Sequence, residues 1–427
     1  MSTKTFTDVL GALGQPKEKF STPRLSSSSR LKALRKAGTS HIYADTADFH
    51  ELQDLVAMGE NAIMEEVDGN TVNQPLVKKV IAAYLDEGDS VGWMEKLRSF
   101  RKGLPRQDLF PMLYAIVCGR IGNNFSGMFG SGRAWEVSLQ LHMKLMEDPT
   151  TAKQIGRDLR KMVPSALVKI PFTPHLPSCL FVARDLEQEG IPVNFTSTFS
   201  ARQGVMGALL ANITRTNIFM GRLDQGLETD YLGAHVSLET QRHLLNLRKN
   251  VGIKTQLIVA SMRQGKSFLE TAGCDVYTAP CKVIQEFLDL PEVPQEIPSQ
   301  VNTSYEDRLG IPPAISAKLT NECIARLYRV EPELREFLLE YRATKEYAQL
   351  QDADALVKRF DQAGFKDLFY APAPGEWEEI RRSKIPDPAA PLTRQLPLDT
   401  LYTLMADADF EKHQAEMDQA IEEYMSR

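Results

Sequence analysis

The chain is poor in cysteine and histidine and has no long uninterrupted apolar run. Its 427 residues include 5 Cys, 7 His and 3 Trp. The cysteines (Cys118, Cys179, Cys274, Cys281, Cys323) are odd in number, too sparse for a disulfide framework, and no pair has zinc-finger spacing. This excludes a small disulfide-stapled scaffold and fits a reduced, cytoplasmic compartment. His175 stands in a Pro-His-Leu-Pro turn and reads as a solvated loop residue, so neither a metal nor a cofactor is expected. Without a long apolar stretch no transmembrane helix is expected, and no secretory signal is seen. The net charge of -6 gives no basis for a nucleic-acid partner.

What is present is the composition of an ordinary globular protein, 43% hydrophobic and 25% charged. The length allows one large α/β domain with additions. Residues 1–40 are locally basic (Lys17, Lys19, Arg24, Arg30, Lys32, Arg35, Lys36) and contain Ser26-Ser27-Ser28-Ser29. They read as a mobile arm or docking segment.

From His41 to Pro280 short β-type runs alternate with longer amphipathic segments. The expected strands are His41–Thr46, Val67–Asn73, Ala134–Ser138, Ala166–Pro171, Val193–Phe199, Asn217–Leu223, Thr255–Ser261 and Asp275–Pro280. Phe110–Ile121 reads as a helix. Gly190, Gly252 and Gly273 stand where helices should stop. Strict alternation implies a parallel sheet, and the number of units implies closure into a (β/α)8 TIM barrel over 41–289. A helical addition with Pro-rich linkers follows over 290–398. A C-terminal helix, 399–427, is expected to pack on the barrel.

Lys169 is the most informative residue. It lies in Ala166-Leu167-Val168-Lys169-Ile170-Pro171, which reads as a buried strand. A lone Lys in a strand usually sits at an edge or snorkels to water. A buried one has a depressed pKa, which yields the neutral amine that attacks a carbonyl. Barrel enzymes carry their catalytic groups at the C-terminal strand ends. The residues expected there are Asp45, then Asn70, Thr71 and Asn73, then Glu136, Lys169, the group Asn194, Thr196 and Ser200, then Asn217 and Arg222, and finally Ser261 with Arg263. Singly, each has a bland reading as a cap or rim ion pair. Together they suit Schiff-base chemistry. Lys169 forms an iminium with a ketone, and Asp45 takes the proton of the departing aldehyde's hydroxyl. Glu136 and Thr196 manage the catalytic water, and Arg222, Arg263 and Ser261 bind an anion, most naturally phosphate.

The stretch from about His41 to Glu286 resembles the transaldolase family. The matching pieces are Ala44-Asp45-Thr46, Asn70-Thr71-Val72-Asn73-Gln74-Pro75, Trp135-Glu136-Val137-Ser138 and Val168-Lys169-Ile170-Pro171. Val193-Asn194-Phe195-Thr196 to Phe199-Ser200, Phe219-Met220-Gly221-Arg222, Ala260-Ser261-Met262-Arg263 and Ala272-Gly273-Cys274-Asp275 follow in family order. The resemblance implies transfer of a dihydroxyacetone unit from a ketose phosphate (sedoheptulose 7-phosphate or fructose 6-phosphate) to an aldose phosphate, a step of the non-oxidative pentose phosphate pathway. It gives Asn73 and Asn194 the dihydroxyacetone moiety, with Thr71, Ser200, Asn217 and Phe219 in the substrate site. Related fructose-6-phosphate aldolases tend to carry Tyr at Phe219 and Gln at Glu136, so both residues look like the transferase version. The proline shifted to Pro75, Asn217 in place of a serine, and Phe172 mark a divergent member. The alternatives are a Schiff-base aldolase or transaldolase-like enzyme for another sugar phosphate, and a non-catalytic sugar-phosphate-binding scaffold. The expected partners are sugar phosphates alone, with no nucleic acid and no membrane. A homodimer is left open.

Overall fold

A computed structural model describes residues 24–53, 55, 62–86, 106–129 and 134–426. Eight parallel strands close into a barrel: β1 His41–Asp45, β2 Gly69–Val72, β3 Glu136–Gln140, β4 Ala166–Pro171, β5 Val193–Thr196, β6 Arg215–Phe219, β7 Gln256–Ala260 and β8 Val276–Ala279. They pair in chain order, and β8 closes against β1. The sequence dictates this alternation. The strands are short, rich in Val, Ile and Leu, and almost wholly buried, as strands covered by helices must be. The intervening helices bury one face, and several end where expected. Gly190 and Gly252 have φ of 77° and 75°, a conformation that costs glycine nothing. Phe110–Ile121 lies inside the helix Arg106–Met128.

Two strands are displaced from expectation. β3 begins two residues later than Ala134, because Gly69 pairs with Glu136 and Lys169 with Gln140. β6 spans Arg215–Phe219, not Asn217–Leu223, because the chain enters a helix at Met220. Gly69 allows the tight β2–β3 approach, since a Cβ there would lie 2.1 Å from the Glu136 carbonyl oxygen.

The mobile-arm expectation for 1–40 is corrected from Arg24 onward; residues 1–23 lie outside the described residues. Arg24–Ser26 pairs in parallel with Ala62–Met64, and Ser28 caps the helix Ser29–Lys36. That helix buries Leu31 and Leu34, while Arg35 binds Asp68 at 2.5 Å just before β2. The segment 24–36 therefore packs on the N-terminal face of the barrel, its charges paired or at the surface.

The helical addition is stitched to the barrel's outer helices. Arg184 donates to the carbonyls of Tyr347 and Leu350, and Tyr347 donates to Leu210 O. Buried Arg202 binds both Asp367 and Asp399. The addition and the barrel share one hydrophobic core. The long helix Leu398–Ser426 then crosses the C-terminal face. Asp399 anchors it beyond β5, through Ser200 at 2.7 Å. Glu416 meets Lys78 beyond β2, and Asp418 meets His142 beyond β3.

Candidate active site

Side chains alternate along a strand, and residues in register on neighbouring strands point to the same side. Gln140, Lys169 and Asn194 are in register on β3, β4 and β5. Asp45, Thr71 and Ser138 form the matching row on β1, β2 and β3. Thr196, Asn217 and Thr278 complete an inward-facing ring near the C-terminal mouth.

Lys169 is 3% exposed. Burial pushes its pKa down to about 8, and the Asp45 carboxylate opposes part of that fall. No hydrogen bond or ion pair from the described residues holds its amine, so a substantial neutral fraction exists near physiological pH. Asp45 accepts from Thr71 Oγ1 at 2.8 Å, and Thr71 in turn contacts Thr278 Oγ1 at 2.6 Å. Burial raises the Asp45 pKa, while Lys169, the Thr71 hydrogen bond and Arg263 oppose the rise. The amine and the carboxyl are thus electrostatically coupled across the barrel.

Around them lie buried amides with spare acceptors. Asn194 donates to Ser138 Oγ at 2.6 Å, and Asn217 donates to Thr196 Oγ1 at 3.3 Å. The carbonyl oxygens of Gln140, Asn194 and Asn217 are buried without a hydrogen-bond partner. Such atoms are costly unless a ligand or water meets them. Phe219 closes β6 beneath Arg222, whose guanidinium lies 5.6 Å from the ring centroid. Ser261 leaves β7 with φ 59°, and Arg263 stands exposed at the rim, near enough to influence both Asp45 and Arg222.

Other expected residues sit elsewhere or are engaged. Glu136 opens β3 at the N-terminal end. Its carboxylate accepts from the Tyr43 hydroxyl and lies 3.6 Å from Arg215, which opens β6. The expectation that it manages a catalytic water is corrected: the β3 residue beside Lys169 is Gln140. Reading β3 inward at every second residue lists Glu136, Ser138 and Gln140 alike, so the signal was present, but its axial position was not. Ser200 is spent on structure, donating to Asp399 and capping its own helix. Asn73 accepts from Leu76 N at 3.2 Å as a helix cap at the end of β2. Arg222 donates to Asp409 at 2.9 Å, while its Nη1 has no partner. His175 is half-buried rather than a fully solvated loop residue. It packs edge-on against Trp377, and burial pushes its pKa down to about 4. Among the described residues no three His, Cys, Asp or Glu side chains converge to hold a metal, and no helix is long and apolar enough to cross a membrane.

Residues 42–327 match the family model described as transaldolase/fructose-6-phosphate aldolase. The chain belongs to that family. Curated relatives named "Probable transaldolase" include one from Herpetosiphon aurantiacus, 29% identical over 58% of this chain and 88% of its own length. Another, from Moorella thermoacetica, is 33% identical over 33% of this chain. The alignments with the Moorella and Dehalococcoides mccartyi proteins cover 63% of each relative's length. Membership of the transaldolase/fructose-6-phosphate aldolase family agrees with the closed parallel barrel and with its additional C-terminal helices.

Proposed function

We propose that this chain is a Schiff-base transaldolase that moves a dihydroxyacetone unit from a ketose phosphate to an aldose phosphate. The observation that carries the reading is the buried, unpaired Lys169 amine coupled to Asp45 inside a ring of unpartnered amides. The neutral amine adds to the ketone carbon, and water leaves to give an iminium. Asp45 removes the C4 hydroxyl proton, the C3–C4 bond breaks, its electrons flow into the iminium, and the aldehyde departs. The enamine left on Lys169 then attacks the acceptor aldehyde, and Asp45 returns the proton to the new alkoxide. Asn194 and Asn217 hold the donor hydroxyls, and Thr196 orders the water of imine formation. Ser261 and Arg263 bind the phosphate. The iminium is the electron sink, so no metal or cofactor takes part in this reading. A reducing cytoplasmic setting and sugar-phosphate partners belong to it as well.

Gln140 favours a second reading. With an amide beside Lys169, one of the two positions that distinguish transferase from lyase carries the residue typical of fructose-6-phosphate aldolases. Phe219 retains the transferase residue. An amide orients water but does not carry its proton. Under this reading the enamine is protonated and dihydroxyacetone is released.

Borohydride trapping with fructose 6-phosphate, followed by mass spectrometry of the Lys169 peptide, tests the shared chemistry. A reduced three-carbon adduct on Lys169 is expected. No adduct with any ketose phosphate moves the scaffold reading ahead. Turnover that requires an added aldose phosphate supports transfer, and release of free dihydroxyacetone without an acceptor supports the lyase.

A further inference from the structure

The helical addition and the last helix enclose a groove of about 690 Å³ that the chemistry above does not use. Arg381-Arg382-Ser383-Lys384 forms one wall, and Lys412 on the helix Leu398–Ser426 stands on the other. Four cations line the groove against two carboxylates, Asp409 and Glu411. In a chain where Asp and Glu outnumber Lys and Arg by 56 to 50, that local surplus does not follow from composition. Two of the four cations are engaged by the protein. Lys384 binds Asp409 at 2.9 Å, and Arg381 approaches Glu411 at 3.8 Å while lying over the Trp377 ring. Arg382 and Lys412 are exposed and form no ion pair or side-chain hydrogen bond among the described residues. Lys412 acts only from a distance on Glu416, a carboxylate already bound to Lys78. Like charges gathered in one groove repel, and a shared counter-anion relieves that repulsion.

The groove reaches the mouth through one carboxylate. Asp409 is 7% exposed; its Oδ1 faces Lys384 and its Oδ2 accepts from Arg222 Nη2, each at 2.9 Å. Gln225, on the same helix as Arg222, also lines the groove. We propose that this groove is a regulatory site for a small polyanion carrying two or more phosphate groups, and that filling it weakens the mouth's hold on the substrate phosphate. The volume is that of a small-molecule site, and the walls offer charge where such sites usually offer apolar bulk. Arg382 and Lys412 meet one phosphate, and Arg381 and Lys384 meet a second. The Ser383 hydroxyl, which accepts from Ile385 N at 3.2 Å, still has its proton to donate. A bound anion draws Lys384 away from Asp409. Asp409 then binds Arg222 with less competition, and less positive charge is left for the phosphate that Arg222 is expected to meet beside Arg263 and Ser261. The coupling is reciprocal, so substrate phosphate in the mouth weakens the anion in the groove. Binding in the groove does not depend on the Schiff-base reading; its effect on KM rests on that reading.

Pyrophosphate is the probe, titrated by calorimetry at low ionic strength, where exposed charges are least screened. The titration uses Arg263→Gln, which blunts the mouth, with and without Arg382→Gln/Lys412→Gln. Pyrophosphate should bind Arg263→Gln and bind about tenfold more weakly once the two groove cations are removed, the effect of lost charge-assisted contacts. In the otherwise unaltered chain, pyrophosphate should raise KM for fructose 6-phosphate several-fold and the rise should level off. Competition at the mouth would instead raise KM without limit. Arg382→Gln/Lys412→Gln should keep the basal KM and lose the response. Lys384→Gln should show a raised KM with no pyrophosphate present. Absence of binding to Arg263→Gln, or binding that ignores the two groove substitutions, would overturn the proposal, since the anion would then sit elsewhere. So would a KM that does not move, or does not level off, while the groove fills. A chain that neither traps nor turns over fructose 6-phosphate sinks the Schiff-base reading alone, and the titration still decides the groove.

Discussion

The two ends of one barrel hold similar residues and differ in how they are satisfied. At the N-terminal end Glu136, Tyr43, Arg215 and Gln256 point inward and bind one another. Tyr43 donates to Glu136, Arg215 bridges Glu136 and Gln256, and Gln256 donates to Ser40 at 3.2 Å. At the C-terminal end Asp45, Lys169, Gln140, Asn194 and Asn217 also point inward, yet the amine is unheld and three amide oxygens lack partners. Apart from Arg215 Nε, the first cluster has spent its hydrogen-bonding capacity on the protein, and the second has kept it. Unspent capacity in a buried place separates a chemical site from a polar plug.

Substitutions at the two ends should therefore read out differently. Lys169→Arg should abolish turnover and the borohydride adduct, because a guanidinium stays protonated and forms no imine; activity near wild type would remove Lys169 from the mechanism. Asp45→Asn should lower kcat by roughly 10²–10⁴-fold, the range for a lost general acid/base. It should also move the pH profile. Lys169 must be neutral to attack, so kcat/KM should climb with pH through about 8. The Asp45 charge raises the Lys169 pKa, so its removal should shift that limb to lower pH. A limb that stays in place in Asp45→Asn would deny the coupling.

At the other end, Glu136→Gln should leave kcat and KM within about twofold and cost stability of about 1 kcal/mol from the lost charged hydrogen bonds. Denaturant melts alongside steady-state kinetics check both parts. A large fall in kcat would return Glu136 to the reaction and erase the contrast. The smallest expected effect is at Phe219. Phe219→Tyr places a phenol near the enamine and should raise free dihydroxyacetone release relative to transfer by a few-fold. An unchanged ratio, measured with and without acceptor, would remove the gatekeeper role and leave Gln140 as the discriminating position.

Much of this was legible in the chain. The alternation of apolar strands and amphipathic helices announced a parallel barrel, because each local period reflects how a segment must bury its apolar side. Lys169 stood out because a cation inside an apolar strand has few structural uses, and Asp45 followed as the last residue of the first strand. From Arg24 onward the arm was misread from composition. Its serines and basic residues look solvated, but Ser28 caps a helix and Leu31 and Leu34 dock it under the barrel. Ser200 and Arg222 looked like ligand groups, and their partners, Asp399 and Asp409, lie 199 and 187 residues away in sequence.

The sequence by itself determined which side chains face the inside of the barrel, since alternation along a strand is a local property. Only the tertiary structure decided how far along the axis each one sits. Glu136 and Gln140 share the inward face, and about 3.3 Å of rise per residue separates them by roughly 13 Å. That is the distance between the barrel floor and the level of Lys169. A period of two is blind to such a slide, and only the pairing of Gly69 with Glu136 and of Lys169 with Gln140 fixes it. The same holds for the helix Leu398–Ser426. Its helical pattern was plain, but its place on the barrel depends on Asp399, Glu416 and Asp418 finding partners beyond β5, β2 and β3.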